Sequence, residues 1–516
     1  MQIVSIEAGR EKIAFRLEGA AGESLILRES APVVGGKART LSVHTRAASE
    51  TIAIDRFVGG HDRLYSRFTV FQGDEALEGA QFVTDFAADV PENRAGYPQP
   101  GGIKALHGTP EDKLALGVRQ SPVNINLLAL MTTVPGENTI AYQHDGREYY
   151  FLREPVEALD AHMLECARCG VLVTMILLNA PRLFNSTGER ALLEACMHPS
   201  FAWGRPEVAI SAFDMRTEEG QGYYRAFVEF LAERYTRPDG KYGRAAGAII
   251  SNEVDSQYIW GNAGEMPMEE YMAEYTQALR QAWLCGQKHC AHFRVYASLD
   301  HHWCGSTNDP HYPLRYYSSR DALENLAALS AREGEFPWHV AFHPYPEDLR
   351  WPDFWHDRAP DFTLTTPKIT FKNMEVLEAY LSQPHMLYRG APRRIIFSEQ
   401  GFNSQSGPMQ EMTEKMGEAG YVLAYLKARQ MKTVDMFMHH AYTDNLDEFG
   451  LNLGIRRYDP AAPDHVGEKK PIYFAVRDMD TPQEAGRVAQ ARAFIGEALF
   501  DFLLHPPLEC GERGAS

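Results

Sequence analysis

Residues 247–255, GAIISNEVD, combine the two features that decide the fold: a short apolar run and a group of polar residues directly after it. Residues 394–402, RIIFSEQGF, repeat this arrangement later in the chain. A short, continuous apolar run with polar residues at its end is typical of a strand that is buried on both faces, as in a parallel sheet. Both segments therefore predict parallel strands whose carboxyl ends carry functional side chains.

Similar apolar runs recur along most of the chain, at residues 123–127, 171–176, 208–211, 294–298, 338–342 and 434–438. Between the runs lie amphipathic helical patterns, of which the clearest span residues 220–235, 268–283, 409–428 and 483–504. Strands that alternate with helices indicate parallel strands joined by helical crossovers. Eight such units predict an α/β protein with a (β/α)₈ TIM barrel.

The first part of the chain has a different pattern. Over residues 1–92, short alternating segments are separated by Gly-containing turns, which predicts a small β-sandwich-like accessory domain. Residues 93–110 are rich in Pro and Gly and are interpreted as a linker, which leaves residues 111–516 for the barrel. A length of 516 residues suits one barrel and one accessory domain.

Composition argues against several classes of partner. The net charge of −18 argues against nucleic acid, because phosphate contacts require clustered Lys and Arg. No segment approaches the roughly 20 apolar residues of a membrane helix, so we expect no membrane partner. The first residues lack the basic and apolar segments of a secretory signal, which favours a cytoplasmic protein. Oligomer formation is possible.

Glutamates follow the fourth and the seventh predicted strand. Because active sites of such barrels lie at the carboxyl ends of the strands, Glu253 and Glu399 should face one cleft. Two carboxyl groups about 5–5.5 Å apart cleave a glycosidic bond with retention: one protonates the leaving oxygen and the other attacks the anomeric carbon. We therefore hypothesise a retaining glycoside hydrolase that requires neither a cofactor nor a metal.

These motifs carry a resemblance to a known superfamily. Asn252-Glu253 after the fourth strand and Glu399 after the seventh resemble the signature of clan A, the 4/7 superfamily of glycoside hydrolases. Within it, roughly residues 111–505 look similar to an uncharacterised bacterial family known as a domain of unknown function. The resemblance implies that Glu253 is the acid/base, that Glu399 is the nucleophile, and that Asn252 binds the hydroxyl next to the anomeric carbon. It also implies an equatorial (β-D or α-L) bond, and the expected cytoplasmic location favours an oligosaccharide or other glycoside as the substrate.

Other candidate sugar ligands follow predicted strands. His343-Pro344-Tyr345 matches the His-x-Tyr that several clan families carry after the sixth strand. We therefore expect Tyr345 to hydrogen-bond the nucleophile and His343 to contact substrate or the acid/base. Apolar faces of sugars pack on aromatic rings, so Trp260 and Trp303 are candidate stacking platforms. The remaining candidate ligands are Asn126 and His440. His440 lies at the strand end where many clan members place a Trp.

Two alternatives remain open. Metal-dependent hydrolases on this fold use His clusters, and His301-His302 and His439-His440 enrich the barrel mouth in His. Such enzymes usually have His-x-His at the first strand, where this chain has residues 124–126, NIN, and adjacent His side chains on an extended backbone should diverge. The second alternative is a non-catalytic carbohydrate-binding barrel, because fold alone does not secure function.

Overall fold

The computed structural model describes residues 2–18, 25–35, 38–46, 51–305 and 311–508. Its centre is a closed barrel of parallel strands, numbered here barrel strands 1 to 8 in chain order. These strands are Lys104–Ala105, Gln120–Asn126, Leu172–Leu178, Ala245–Ile250, Arg294–Leu299, Trp338–Phe342, Ile395–Phe397 and Val434–Met438. The predicted (β/α)₈ barrel is therefore confirmed.

One predicted strand is wrong. Residues 208–211 form no barrel strand; the backbone N–H groups of Ala209 and Ile210 instead donate to the carbonyl of Ile259 in a buried loop. Periodicity cannot distinguish a short buried loop from a buried strand. Barrel strand 1 instead lies at Lys104–Ala105, within the segment interpreted as a linker. The division into 1–92, 93–110 and 111–516 stays a prediction in other respects.

Helices surround the barrel, and three of the described helices follow its last strand. The α-helices of the described residues are Pro110–Ala115, Leu127–Leu130, Arg153–Arg168, Arg190–Cys196, Glu218–Tyr235, Gln257–Trp260, Met268–His289, Ser319–Glu333, Glu375–Leu381, Gln410–Gln430, Pro471–Asp478, Glu484–Ile495 and Glu497–Leu504. The helix predicted over 483–504 is divided at Gly496, whose φ of 100° is incompatible with a continuous helix. Glu218–Tyr235 begins where the side chain of Thr217 accepts a hydrogen bond from the backbone of Gly220, as expected of an N-cap.

Short elements line the loops between these helices. A three-stranded sheet consists of Met131–Thr132, Thr139–His144 and Arg147–Leu152, and a hairpin of Arg456–Tyr458 and Val466–Lys469 follows barrel strand 8. The 3₁₀ turns are Arg63–Tyr65, Val254–Ser256, Phe354–His356, Pro384–Met386 and Gly407–Met409. In the part of the chain that the structure describes, no helix is long and apolar enough to cross a bilayer.

Two main sheets, the first mixed and the second antiparallel, form the described N-terminal region, as predicted for a small β-sandwich-like domain. The strands of the first sheet are Gln2–Ala8, Lys12–Glu18, Thr51–Asp55, Glu78–Gly79 and Asp85–Phe86, of which the last two pair with Gln2–Ala8 in parallel. Those of the second are Leu25–Ser30, Thr40–Arg46, Arg67–Gln72 and Glu75–Ala76. Phe15 and Phe68 meet between the sheets at a ring-centroid distance of 4.9 Å.

A buried polar contact joins this region to the barrel. The hydroxyl of Tyr65 donates to the carboxylate of Glu229 over 2.5 Å, and His144 and Lys288 lie 2.8 and 2.6 Å from the same carboxylate. Burial opposes ionisation of Glu229, but His144, His289 and Lys288 together lower its pKa well below the ordinary value. The N-terminal region therefore packs on the outer helices Glu218–Tyr235 and Met268–His289.

Candidate active site

The loop after barrel strand 4 turns Glu253 into the mouth of the barrel. Ser251 and Glu253 have left-handed backbones, with φ of 64° and 35°. Such conformations are uncommon for residues other than Gly and concentrate at functional sites. The backbone N–H of Glu253 donates to Ser298 Oγ at 3.0 Å, and Ser251 Oγ donates to the carbonyl of Trp260 at 3.2 Å. The loop that carries Glu253 is thus held by Ser298 of barrel strand 5 and by the last residue of the helix Gln257–Trp260.

His343, which follows barrel strand 6, connects Glu253 to Ser398 at the end of barrel strand 7. Its Nδ1 lies 2.8 Å from Oε1 of Glu253, and its Nε2 lies 3.1 Å from Oγ of Ser398. Burial raises the pKa of Glu253, and the contact with His343 opposes only part of that effect. A carboxyl group that keeps its proton above the ordinary range can act as a general acid.

Glu399 follows barrel strand 7 and is held by a different partner. The hydroxyl of Tyr345 donates to Oε1 of Glu399 at 3.1 Å. Burial raises the pKa of Tyr345 well above its ordinary value, so the phenol stays protonated and remains a donor. The predicted bond between Tyr345 and Glu399 is therefore present, and His343 contacts the other glutamate.

The two glutamates lie side by side. One carboxylate oxygen of Glu253, one of Glu399 and one ring nitrogen of His343 all lie within 4.8 Å of one another. Carboxyl groups of retaining glycosidases are about 5–5.5 Å apart, whereas those of inverting enzymes are about 6.5–9.5 Å apart. The nearest oxygens of Glu253 and Glu399 are thus close enough for both side chains to contact one bound molecule.

Three further predicted ligands lie in the loops that surround the glutamates. Asn252 is partly exposed and makes no hydrogen bond to another described residue. Trp260 packs edge-on against Phe449 at 6.3 Å, and the Phe449 side chain is mostly exposed. His440 Nε2 lies 3.2 Å from Glu448 Oε1. Burial disfavours the charged form of His440, but Glu448 and Glu399 together outweigh burial and raise its pKa.

Two predicted sugar ligands have structural roles instead. Trp303 is 0% exposed, donates through Nε1 to the carbonyl of Leu364 and packs edge-on against Tyr380. Asn126 is also buried: its amide donates to the carbonyls of the 180–184 loop, and its oxygen accepts from the backbone of Leu128. Neither side chain has a free polar group or an open face, so neither is retained as a sugar ligand.

The core position of Trp303 leads to a testable expectation. Trp303→Ala should lower the free energy of unfolding by about 3–5 kcal/mol, since it removes a buried ring and leaves a cavity. Urea unfolding followed by circular dichroism measures the change. The matched control is Trp260→Ala, whose half-buried ring should contribute less to stability. A Trp303→Ala protein of unchanged stability would contradict the structural role.

Sequence reasoning missed several supporting groups. Ser298, Ser398 and Glu448 hold the backbone of Glu253, the ring of His343 and the ring of His440, respectively. Ser398 carried a signal, because it directly precedes Glu399 at the end of a strand. Glu448 carried none, since it lies in a loop beyond barrel strand 8 whose path the sequence does not specify.

Residues 96–501 match the family of unknown function DUF5722. The chain belongs to this family. The predicted resemblance of the barrel to a family without an established function is thereby confirmed. Comparison with curated proteins finds no match.

Several solved structures are similar to this member of the DUF5722 family at low identity. A family 1 β-glucosidase from Thermotoga maritima is 11% identical over 74% of this chain and 84% of that chain, with a TM-score of 0.42. An exo-β-1,4-mannosidase from Opitutaceae bacterium strain TAV5 is 13% identical over 77% and 62%, with a TM-score of 0.43. A calcium-binding mutant of Bacteroides uniformis β-glucuronidase 2 is 11% identical over 92% and 49%, with a TM-score of 0.38.

Proposed function

We propose that the protein is a retaining glycoside hydrolase that cleaves an equatorial (β-D or α-L) glycosidic bond in an oligosaccharide or other glycoside. The observation that carries this proposal is the closeness of Glu253 and Glu399, whose nearest oxygens lie within 4.8 Å at the ends of barrel strands 4 and 7. Their different surroundings support different roles. Glu253 is partly buried and has a raised pKa, whereas Glu399 accepts a hydrogen bond from a phenol.

The proposed reaction is a double displacement. Glu399 attacks the anomeric carbon while the carboxylic acid of Glu253 gives its proton to the leaving oxygen, which forms a glycosyl ester on Glu399. Glu253, now ionised, removes a proton from water, and the resulting hydroxide displaces Glu399 from the sugar. Tyr345 keeps the attacking carboxylate in position, and His343 positions the carboxyl group of Glu253.

The other mouth residues are proposed to bind the sugar. The amide of Asn252 lies next to the acid/base and has no hydrogen-bond partner among the described residues, which suits a hydroxyl beside the anomeric carbon. Trp260 offers a half-buried ring for an apolar sugar face. The hydrogen bond to Glu448 holds the ring of His440 near Glu399, as a candidate donor to a hydroxyl.

A glycoside screen with detection of the product anomer tests this proposal. The full chain is incubated with aryl β-D- and α-L-glycosides of several sugars, and ¹H NMR records the anomer of the first product. Hydrolysis with retention supports the proposal, and hydrolysis with inversion contradicts it. Binding of a sugar by calorimetry without hydrolysis of the corresponding glycoside would instead indicate a carbohydrate-binding barrel. Glu399→Gln is the control for contaminating activity.

The pH profile should depend on His343. The raised pKa of Glu253 keeps its acid form at higher pH than an ordinary Glu, so activity should fall as the pH rises through that value. The contact with His343 lowers this pKa, so His343→Gln should move the alkaline limb of kcat/KM to higher pH. His356→Gln, which removes a largely exposed His paired with Asp353, is the control. An unchanged limb, or one at lower pH, contradicts the assignment.

A further inference from the structure

A second cluster of polar side chains lies directly after barrel strand 5. Asp300, His301 and His302 each offer one carboxylate oxygen or ring nitrogen, and these three atoms lie within 4.8 Å of one another. The two imidazole rings lie 4.2 Å apart between centroids with an interplanar angle of 34°. The backbone bends at His301, so the condition under which adjacent side chains should diverge, an extended backbone, is not met here.

His301 is the unusual member of the cluster. It is 6% exposed, and in the described part of the chain neither of its ring nitrogens has a hydrogen-bond partner. Buried polar groups are nearly always paired, so an imidazole with two unpaired nitrogens needs an explanation. By contrast, both nitrogens of His343 are bonded, and Nε2 of His439 is bonded to the carbonyl of Leu453.

Asp300 and His302 are in direct contact. The backbone N–H of His302 donates to Oδ1 of Asp300 at 2.7 Å, and Nδ1 of His302 lies 3.2 Å from the same oxygen. The cluster thus presents two imidazole rings and one carboxylate side by side.

We propose that Asp300, His301 and His302 bind a divalent transition-metal ion, with Zn²⁺ as the expected occupant. Two imidazole nitrogens and one carboxylate oxygen are ligands that Zn²⁺ accepts, at about 2.0–2.2 Å. Ligand atoms on one tetrahedral ion are about 3.5 Å apart, so the three groups need to move only slightly toward a common centre. A water molecule completes the coordination.

The contacts of Asp300 assign this ion a structural role. Ser256 Oγ donates to Asp300 Oδ2 at 3.2 Å, and the backbone N–H of Asp300 donates to the carboxylate of Asp255 at 3.1 Å. Ser256 and Asp255 belong to the 3₁₀ turn Val254–Ser256 that directly follows Glu253. An ion on Asp300 therefore fastens the loop after barrel strand 5 to the loop that carries Glu253. Because the His301 nitrogens are shielded from solvent, they are suited to holding an ion rather than to activating substrate water.

Metal content and metal-dependent stability of the full chain test the proposal. Tag-free protein is stripped with a chelator and titrated with Zn²⁺ by calorimetry, and its Tm is measured with and without the ion. We expect about one ion per chain and a rise in Tm of a few degrees. His301→Ala should abolish both effects. His439→Ala, which removes a buried His outside the cluster, should keep both.

Further variants keep the proposal falsifiable. If His301→Ala does not fold, Asp300→Asn and the more exposed His302→Ala must each lower the affinity for Zn²⁺ by tenfold or more. Folded wild-type protein that binds none of Zn²⁺, Mn²⁺, Fe²⁺ and Co²⁺ would overturn the proposal, as would unchanged Zn²⁺ binding by folded His301→Ala. Glu399→Gln should bind Zn²⁺ like wild type, which separates this test from that of the hydrolase.

Discussion

Glu399→Gln should lower kcat for every accepted glycoside by roughly 10⁴- to 10⁶-fold, the size of loss seen when a nucleophile is removed from a catalytic unit. The amide has no charged oxygen with which to attack the anomeric carbon, so the glycosyl ester cannot form. It has nearly the same shape as the carboxylate and still accepts a hydrogen bond from Tyr345. The loss should therefore appear in kcat, with little change in stability. Steady-state kinetics and thermal unfolding measure the two quantities.

The chain offers a matched control for this substitution. Glu448→Gln also replaces a half-buried carboxylate at the barrel mouth, where its partner is His440 rather than Tyr345. Glu448→Gln should lower kcat far less than Glu399→Gln does, because Glu448 has no part in bond cleavage. Equal losses from the two variants, or a loss below tenfold for Glu399→Gln, would mean that Glu399 is not the nucleophile.

The barrel could be predicted because its strands are buried on both faces. Such strands are continuous apolar runs, and Ala245–Ile250 and Ile395–Phe397 are fully buried along their length. Barrel strand 1 has only two residues, which are too few to show an apolar run. The buried loop at 208–211, by contrast, has an apolar run like that of a buried strand. These two errors offset each other in the count, so Glu253 still follows the fourth strand.

The position of a residue at a strand end does not predict the direction in which its side chain points. Trp303 follows barrel strand 5 and Asn126 is the last residue of barrel strand 2, positions similar to those of the site residues, yet both side chains point into protein. Their direction depends on the path of the following loop, which is set by distant contacts such as those with Leu364 and Ala180. The turn that carries Glu253 is made by two residues with left-handed backbones, Ser251 and Glu253. Because neither is Gly, the sequence did not indicate a left-handed turn there.

Glu253→Gln should have an effect that depends on the leaving group. For an oligosaccharide or alkyl glycoside, whose alkoxide needs a proton, kcat/KM should fall by about 10²- to 10⁴-fold. For a 2,4-dinitrophenyl glycoside, whose phenolate leaves without a proton, kcat/KM should fall much less. A series of aryl glycosides measures this as a steeper dependence of log kcat/KM on the pKa of the leaving phenol. Equal losses for Glu253→Gln and Glu399→Gln on the activated substrate would contradict the assigned roles.

A second variant of the same residue tests the deglycosylation step. Glu253→Ala lacks the base that activates water, so the glycosyl ester on Glu399 should accumulate with an activated substrate. Azide needs no base and can enter the space that the side chain leaves. It should raise kcat and give a glycosyl azide with the anomeric configuration of the substrate. In Glu399→Ala, azide can only replace the nucleophile itself, so the product should have the opposite configuration. The two azides, distinguished by NMR, thus assign the acid/base and the nucleophile independently, because each forms on the face of the sugar that the missing carboxylate occupied.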